Sequence, residues 1–289
     1  MKIRAGSRDS VLAVAQSRII LELIEKAVPG IETELVTMKT TGDKILDRTL
    51  DKIGGKGLFV KELDHALLSG TVDITIHSLK DLPSELPEGI RIAAYSKREE
   101  AEDVLILPQG SDSIDKGLPI GCASSRRTAQ LKGLFPDMDI KPVRGNVLTR
   151  LEKLDRGEYS ALVLAKAGIV RLGLDKRISR EFTAEEMLPA AGQGIIAVEC
   201  RDGCELGFLD AVNDLGSQIR AEAERAFIRE MNGGCSAPAA AYCTLNGDMA
   251  YITGMDVKNG RVIKKSIKGR AAEAAELGRR LALMIKSEE

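Results

Sequence analysis

One stretch constrains the fold of this chain more than any other. The apolar run Val72–Ile76 leads directly into the polar string His77-Ser78-Leu79-Lys80-Asp81-Leu82-Pro83. The β-branched residues predict a buried strand, and Pro83 and Pro87 exclude regular structure soon after it. Open α/β sheets bind ligands at the carboxyl ends of their strands, so Lys80 and Asp81 are predicted to lie where chemistry can occur. A solvated ion pair at a loop entrance is the alternative interpretation.

Composition excludes several classes of function. The chain has 289 residues, 44% hydrophobic content and a net charge of −1, which is typical of a globular protein of two or three domains. Neutral charge and 3% aromatic residues argue against a nucleic-acid partner, and no apolar run is long enough for a membrane span. Five scattered cysteines and two histidines argue against a disulfide framework or a metal site. We therefore expect a cytoplasmic protein with no metal.

The order of elements predicts α/β architecture. A strand over Lys2–Ala5 precedes a helix that Asp9 or Ser10 can cap and that Pro29-Gly30 ends, and a second strand is expected over Glu34–Lys39. Further strands are predicted over Ile90–Ala94, Val104–Leu107, Ser160–Ala165, Ile195–Glu199, Ala250–Val257 and Arg261–Ile267. Further helices are predicted over Ala167–Leu172, Gln218–Met231 and Arg270–Lys286.

Cations recur just beyond predicted strand ends. Lys56 lies in Gly54–Phe59 before a helix, where glycines free backbone N–H groups to face an anion, although a plain glycine turn is the alternative. Arg126 and Arg127 follow Ser124 at a helix start, where the helix dipole disfavours cations and a bound anion would relieve that cost. Arg144, Arg150 and Arg171 could each be solvated, but their repetition favours anion binding.

Two crossovers divide the chain. The charged run Lys97–Asp103 leaves the first domain, and the segment Leu188–Gly194 returns to it, which predicts a hinge of two crossovers. We expect lobe 1 over 1–96 plus 192–214, lobe 2 over 97–191 and a small C-terminal α+β domain over 215–289. The last of these begins with a helix that runs into the glycine loop around Cys235.

Five strings in order over most of the chain identify a resemblance: GGKGLFVKEL, HSLKDLP, RGNVLTRL, AAGQG and NGGC. The sequence resembles the porphobilinogen deaminase (hydroxymethylbilane synthase) family. The resemblance implies an α/β fold with two lobes like those of periplasmic binding proteins, plus the small third domain. It also implies a reaction in which four porphobilinogen molecules are joined head to tail with loss of ammonia, and water releases hydroxymethylbilane. A monomer is implied as well.

The resemblance also implies roles for individual residues. Asp81 matches the family's catalytic carboxylate, which stabilises the cation left when ammonia departs, and Cys235 matches the cysteine that holds a dipyrromethane cofactor through a thioether. The matching cofactor-binding positions are Ser10, Lys56, Lys80, Ser124, Arg126, Arg127, Arg144 and Gly145. The matching substrate-binding positions are Arg8, Arg144, Arg150 and Arg171. Arginine forks suit the acetate and propionate groups of every pyrrole unit.

Two positions depart from the family pattern. The string Cys122-Ala123-Ser124-Ser125 replaces the usual threonine and serines before the arginine pair, which puts hydroxyl contacts to carboxylates in doubt. The string Ala101-Glu102-Asp103 stands where proline, arginine and aspartate are common, which puts in doubt a hinge contact of that arginine.

Two other functions compete with the enzyme. A non-catalytic two-lobed module that binds a small anion would need the hinge and the arginines, but neither the cysteine loop nor Asp81. A nucleotide-binding transferase could use Gly54–Lys56 as a phosphate cradle, but the GxxxxGK[ST] string is absent.

Overall fold

The computed structural model describes residues 1–44, 60–232 and 237–288. The strands are β1 Lys2–Arg8, β2 Glu32–Met38, β3 Ile74–Ser78, β4 Ile90–Tyr95, β5 Asp103–Ile106, β6 Ile120–Gly121, β7 Ile140–Lys141, β8 Ala161–Ala165, β9 Arg180–Glu181, β10 Ile196–Arg201, β11 Ala240–Asn246, β12 Met249–Lys258 and β13 Arg261–Arg270. The helices are α1 Val11–Ala27, α2 Thr41–Lys44, α3 Lys61–Leu68, α4 Ser125–Leu134, α5 Val147–Asp155, α6 Lys166–Arg171, α7 Leu215–Glu230 and α8 Ala274–Lys286.

Lobe 1 is built on a five-stranded sheet with strand order β2-β1-β3-β10-β4. Strands β1, β2 and β3 are parallel, whereas β10 runs antiparallel to both β3 and β4. Helix α1 begins at the Ser10 cap, whose side chain accepts a hydrogen bond from the Ala13 amide. Its apolar face, including Ile20 and Ile24, packs on Ile74 and Ile76 of β3 in the core of this lobe.

Lobe 2 repeats this plan with a five-stranded sheet of order β7-β6-β8-β5-β9. Strands β6, β7 and β8 are parallel, and β5 is the antiparallel strand beside β8. Strand β5 therefore occupies the place in lobe 2 that β10 occupies in lobe 1. Both strands directly follow a crossover between the lobes.

The C-terminal domain is an antiparallel sheet of order β11-β12-β13, covered on one face by α7 and α8. The two helices approach so closely at Gly278 that a side chain there would collide with the carbonyl of Ala223. Phe227 of α7 and Leu281 of α8 fill the space between the helices and the sheet. The predicted α/β class with two lobes, a hinge of two crossovers and a small α+β domain is confirmed.

A buried carboxylate joins these three parts. Glu224 of α7 is 0% exposed and accepts hydrogen bonds from Arg98 on the first crossover, with Nη1–Oε1 2.6 Å. It also accepts from the amide of Gly192 on the second crossover at 2.7 Å and from the amide of Cys243 in β11 at 2.8 Å. Both crossovers are therefore bonded to the C-terminal domain through the same side chain.

Sequence patterns predicted most long elements within a few residues, and the differences have physical causes. The last helix begins at Ala274 rather than at Arg270, because β13 runs on to Arg270 and Ala271–Glu273 forms a 3-10 turn. Strand β11 was not predicted, since its small residues show no clear alternation. No described helix is long and apolar enough to cross a membrane.

Candidate active site

The turn after β3 places two charged side chains at the cleft between the lobes. Leu79 begins a 3-10 turn that ends at Asp81. Its side chain is buried, and its backbone N–H donates a hydrogen bond to the carbonyl of Ile195 at 3.0 Å, which holds the turn beside the start of β10. Asp81 lines one cavity of the cleft, together with Arg8 and Ser10 at the end of β1. The strand end predicted to hold polar groups therefore does so.

Gln16 of α1 borders this cavity and was not found from the sequence. Its amide exchanges two hydrogen bonds with the hydroxyl of Ser78, at 2.8 and 3.0 Å, and the residue is 4% exposed. Gln16 and Ser78 also line the neighbouring cavity between the lobes. An amide at an apolar helix position gave no signal in the sequence, because its partner lies 62 residues away.

The neighbouring cavity, with about 560 Å³ of empty space, receives cations from both lobes. Lys80 enters from lobe 1, and lobe 2 supplies Arg127, Arg150 and Arg171. Burial and the charge of Arg127 together lower the pKa of Lys80 to about 8, although Asp81 and Asp103 oppose the shift. Burial and Arg127 similarly lower the pKa of Arg150 to about 10. This wall of the cleft is therefore rich in crowded positive charge.

The arginine pair at the start of α4 is buried and held by Asp103. Arg126 Nη1 donates to Asp103 Oδ2 at 2.7 Å, and Arg127 Nη2 donates to Oδ1 at 2.8 Å. Although burial alone would raise it, the two guanidinium groups hold the pKa of Asp103 well below its usual range. The unfavourable placement of two cations at a helix start, which the sequence predicts a bound anion to relieve, is thus offset within the chain by Asp103.

The other predicted cations are distributed around this pair. Arg150 Nε donates to the carbonyl of Gly145 at 2.8 Å, and Lys153 Nζ donates to the carbonyl of Arg144 at 3.3 Å, so the start of α5 is tied to its own side chains. Arg171 Nη2 donates to the carbonyl of Gly194 at 2.6 Å, which makes it a contact of the second crossover as well as a wall of the cleft.

A third cavity lies where both lobes meet the C-terminal domain. Lys80, Ser124 and Arg126 line it from the lobes, and Arg225 and Ala237 line it from the C-terminal side. Ser124 also caps α4 by accepting from the amide of Arg127. The predicted residues Lys56 and Cys235 lie outside the described residues, although Ala237 is two positions after Cys235.

Sequence reasoning also missed two polar residues that organise the cations. Asp103 was named only as the end of a charged run, and Gln193 only as part of the AAGQG string. Gln193 is 1% exposed and contacts both Lys80 and Asp103. Their spacing along the chain, 113 and 90 residues from Gln193, is why no local pattern shows these contacts.

Comparison with known families decides between the competing functions. Residues 3–206 match the porphobilinogen deaminase, dipyromethane cofactor binding domain, and residues 218–287 match the porphobilinogen deaminase, C-terminal domain. The chain belongs to the porphobilinogen deaminase family. The match favours the enzyme over the non-catalytic anion-binding module and the nucleotide-binding transferase.

Curated relatives agree over the full length. The chain is 55% identical to the porphobilinogen deaminase of Acetivibrio thermocellus over 98% of this chain and 97% of that protein. It is 53% identical to that of Alkaliphilus oremlandii, over 100% and 98% respectively. Among solved structures it is similar to the methionine binding protein MetQ, with a TM-score of 0.46 at 12% identity, covering 75% of this chain and 92% of that one.

Membership of the porphobilinogen deaminase family defines the class of reaction. The protein is a transferase of tetrapyrrole synthesis that joins four porphobilinogen molecules and releases hydroxymethylbilane. Its cofactor is dipyrromethane, because the first and larger matched region is the domain that binds it.

Proposed function

We propose that Asp81 is the catalytic carboxylate of this porphobilinogen deaminase. One observation supports the assignment above the others: Asp81 lines a cavity of lobe 1 beside Arg8 and Ser10, and its charge acts on the neighbouring Lys80 and on Arg127 and Arg150 of lobe 2. An acid so placed can face the reacting pyrrole while cations hold that molecule's carboxylates.

The chemistry requires such a carboxylate. When ammonia leaves porphobilinogen, the methylene carbon becomes electron-poor and the positive charge is shared with the pyrrole nitrogen. A carboxylate that accepts a hydrogen bond from the pyrrole N–H stabilises this developing charge in a site that excludes water. The Asp81 oxygens can also help to move a proton to the departing amine.

We assign the cations of the cleft to the acetate and propionate groups of substrate and growing product. Arg8 lies beside Asp81, Arg150 and Arg171 line the cavity between the lobes, and Arg144 lies just before α5, where its carbonyl accepts from Lys153. Charge-assisted hydrogen bonds to carboxylates are about twice as strong as neutral ones, and guanidinium groups stay charged at any working pH. The arrangement supports a site for a multiply charged anion.

The residues around the arginine pair fit the dipyrromethane cofactor. Arg127 Nε is buried and has no hydrogen-bond partner among the described residues, although both Nη atoms are engaged. A buried donor of this kind costs free energy until an acceptor reaches it, and the cofactor's carboxylates are acceptors. We propose that Ser10, Lys56, Lys80, Ser124, Arg126, Arg127, Arg144 and Gly145 hold it.

We further propose that the cofactor is attached through a thioether to Cys235. When bound, it supplies the free pyrrole position to which each new unit is joined. A thiolate is a good nucleophile toward an electrophilic methylene carbon, and a thioether survives turnover. The third cavity supports this proposal, because Ala237 lines it beside Lys80, Ser124 and Arg126.

Intact mass under denaturing conditions tests the proposal. We expect the purified protein to exceed its chain mass by two linked pyrrole units, and the excess to vanish in Cys235→Ala. Cys204→Ala is the matched control, since Cys204 is a partly exposed free cysteine in lobe 1 and should leave the excess unchanged. An excess that persists in Cys235→Ala, or a bare chain that gains nothing on incubation with porphobilinogen, would contradict the attachment.

We also propose a cytoplasmic monomer with no nucleic-acid or membrane partner. All four described cysteines are free thiols, which suits a reducing compartment. Light scattering on a sizing column should give the mass of one chain, and a dimer mass would overturn the proposal of a monomer.

We also propose the domain bounds 1–96 plus 192–214, 97–191 and 215–289, because the strands of each sheet fall within them.

A further inference from the structure

The second crossover contains a buried amide that contacts both lobes. Gln193 Nε2 donates to the carbonyl of Ala101 at 2.6 Å and to Asp103 Oδ1 at 2.7 Å, both in the chain that enters lobe 2. Gln193 Oε1 accepts from Lys80 Nζ of lobe 1 at 3.3 Å. One side chain thus connects the lysine beside the catalytic acid to the carboxylate that holds the arginine pair.

The direction of this amide is determined by its partners. A carbonyl and an ionised carboxylate can only accept, so the NH2 group must face Ala101 and Asp103. The amide oxygen then faces Lys80, which can only donate. Reversing the amide would place its oxygen against the oxygens of Ala101 and Asp103 and its NH2 group against the ammonium group of Lys80. The contacts with Ala101 and Asp103 therefore fix one orientation of the Gln193 amide, and its oxygen in turn sets the position of Lys80.

The backbone that carries Gln193 is itself held. Arg98 Nε donates to the carbonyl of Gln193 at 2.9 Å, and Arg171 Nη2 and the Glu99 amide donate to the carbonyl of Gly194 at 2.6 and 3.1 Å. Gly194 has a φ of +92° and lies against the carbonyl of Glu99, where any side chain would collide. The amide therefore projects from a rigid segment and can position other groups.

Charge explains why a neutral amide suits this place. Three cations are grouped near the buried carboxylate of Asp103: Arg126 and Arg127 bond to it, and Lys80 is linked to it through Gln193. A carboxylate at position 193 would add negative charge against Asp103 and would reduce the surplus that attracts a ligand's carboxylates. The amide links Lys80 to this group without neutralising it.

We propose that Gln193 is a positioning residue of the enzyme: it aligns Lys80 of lobe 1 with the Arg126–Arg127 pair of lobe 2 as one carboxylate-binding row across the hinge. The inference rests on the proposed function, in which these cations bind the carboxylates of cofactor and substrate. Gln193 acts through Lys80 and Asp103, and the row depends on it for alignment.

The test uses two variants of the loaded enzyme and one matched control. Gln193→Met keeps the size of the side chain and removes every amide contact. Gln193→Asn keeps an amide for Ala101 and Asp103 but is one methylene short of Lys80. Gln130→Met is the control, because Gln130 of lobe 2 is also a buried glutamine and bonds to Leu188 and to the carbonyl of Arg126, with no hydrogen bond to Lys80 or Asp103 among the described residues.

For each variant, the cofactor mass is measured first, and then kcat and KM for porphobilinogen from about pH 6.5 to about pH 9.5. We expect both Gln193 variants to raise KM about tenfold with a much smaller change in kcat, since binding is misaligned while Asp81 is intact. Loss of an acceptor disfavours the charged lysine, so the alkaline limb of kcat/KM should move to lower pH by about half a unit. Gln193→Asn should do this without lowering the melting temperature as much as Gln193→Met.

The outcomes separate the inference from the proposed function. If both Gln193 variants match Gln130→Met in KM and in the alkaline limb, Gln193 has only a structural role and the inference is overturned. If the unaltered protein lacks the cofactor mass, or if Asp81→Asn retains turnover, the proposed function fails and the inference falls with it. Should Gln193→Met not fold, Gln193→Asn alone decides.

Discussion

Each lobe buries a carboxylate on the antiparallel strand that follows a crossover, but the two carboxylates have opposite surroundings. In lobe 2, Asp103 of β5 is 0% exposed and pairs with Arg126 and Arg127. In lobe 1, Glu199 of β10 is 1% exposed, accepts from the hydroxyl of Thr75 at 3.3 Å and lies 3.2 Å from His77 Nε2. The same sheet plan therefore supports two different charge environments.

The two lobes also differ in whether their buried groups change charge with pH: the arginines of the lobe 2 cluster stay charged, whereas Asp64 in lobe 1 titrates. Guanidinium groups do not lose their protons in proteins, so the lobe 2 cluster keeps its charge across the working range of pH. In lobe 1, burial raises the pKa of Asp64 on α3 to about 6, and Glu199 adds to the rise while His77 opposes it. The charge of the lobe 2 cluster is thus constant with pH, whereas Asp64 in the core of lobe 1 can change its protonation.

The largest expected effect concerns the division of labour between the lobes. Asp81→Asn removes the carboxylate charge that we propose to stabilise the transition state, so we expect kcat to fall by at least about a hundredfold with little change in melting temperature. Steady-state consumption of porphobilinogen measures this. Asp112→Asn, an exposed aspartate of lobe 2, is the control. A rate within a few-fold of normal would remove the catalytic assignment.

Neutralising the buried carboxylate in each lobe breaks the comparison directly. Asp103→Asn leaves two buried guanidinium groups without their counter-ion, and we expect it to cost about 3 kcal/mol of unfolding free energy. Glu199→Gln should cost about 1 kcal/mol, because the Thr75 hydroxyl can still donate to the amide oxygen. Urea unfolding at neutral pH measures both. Equal losses would show that the two surroundings do not differ in energy.

The pH dependence of stability should differ between the lobes. The folded state raises the pKa of Asp64 from 3.8 to about 6, so its contribution is complete below pH 3.8 and is lost as the pH rises through 6. Asp64→Asn should therefore gain stability relative to the natural protein across this window, by about 1 kcal/mol because nearby solvent screens the charge. Melting temperatures measured at several pH values test this.

The contribution of Asp103 to stability changes with pH in the opposite direction to that of Asp64. Its folded pKa is lowered, so its contribution is present above the unfolded value of 3.8 and is lost only in stronger acid. A melting-temperature difference between the Asp64→Asn variant and the natural protein that stays constant from about pH 4 to about pH 7 would contradict the assignment of a titrating core to lobe 1.

The smallest effect is expected for ion pairs at the surface. Arg177 of lobe 2 forms a two-pronged pair with Asp155 at 2.8 and 3.1 Å, and Arg177→Met should cost about 1 kcal/mol. Lys2 and Glu34 of lobe 1 form a single exposed contact of 2.9 Å, and Lys2→Met should leave the unfolding midpoint unchanged. Urea titrations of both variants at low salt provide the measurement, and a larger loss for Lys2→Met would reverse the ranking.

Local patterns predicted the elements, whereas the organisation of the site depends on distant contacts. The Ser10 cap, the strand before His77 and the turn at Lys80 and Asp81 follow from neighbouring residues. The pairing of Asp103 with Arg126 and Arg127 does not, because it joins positions 23 and 24 residues apart on different elements. The roles of Lys56 and Cys235 stay predictions from the family resemblance.

The departures from the family pattern also needed the structure. The aspartate of the family pattern is present as Asp103, which binds the arginine pair. The hinge contact to Glu224 is made by Arg98 rather than by a residue at position 102. Cys122 lies buried before α4, while Ser124 caps that helix with its hydroxyl. The contact between Arg98 and Glu224 is not visible in the order of residues, because the two positions lie 126 residues apart, whereas the Ser124 cap is a local contact.

The single carboxylate of Glu224 has a consequence for how the protein comes apart. It accepts hydrogen bonds from both crossovers and from the C-terminal sheet, so freeing any one of these segments leaves a buried charge with fewer donors. Local opening of one part should therefore weaken the others and join them into one cooperative unit. The amides of Gly192 and Cys243, 51 positions apart in the sequence and bonded to the same side chain, should exchange their hydrogens with equal free energies.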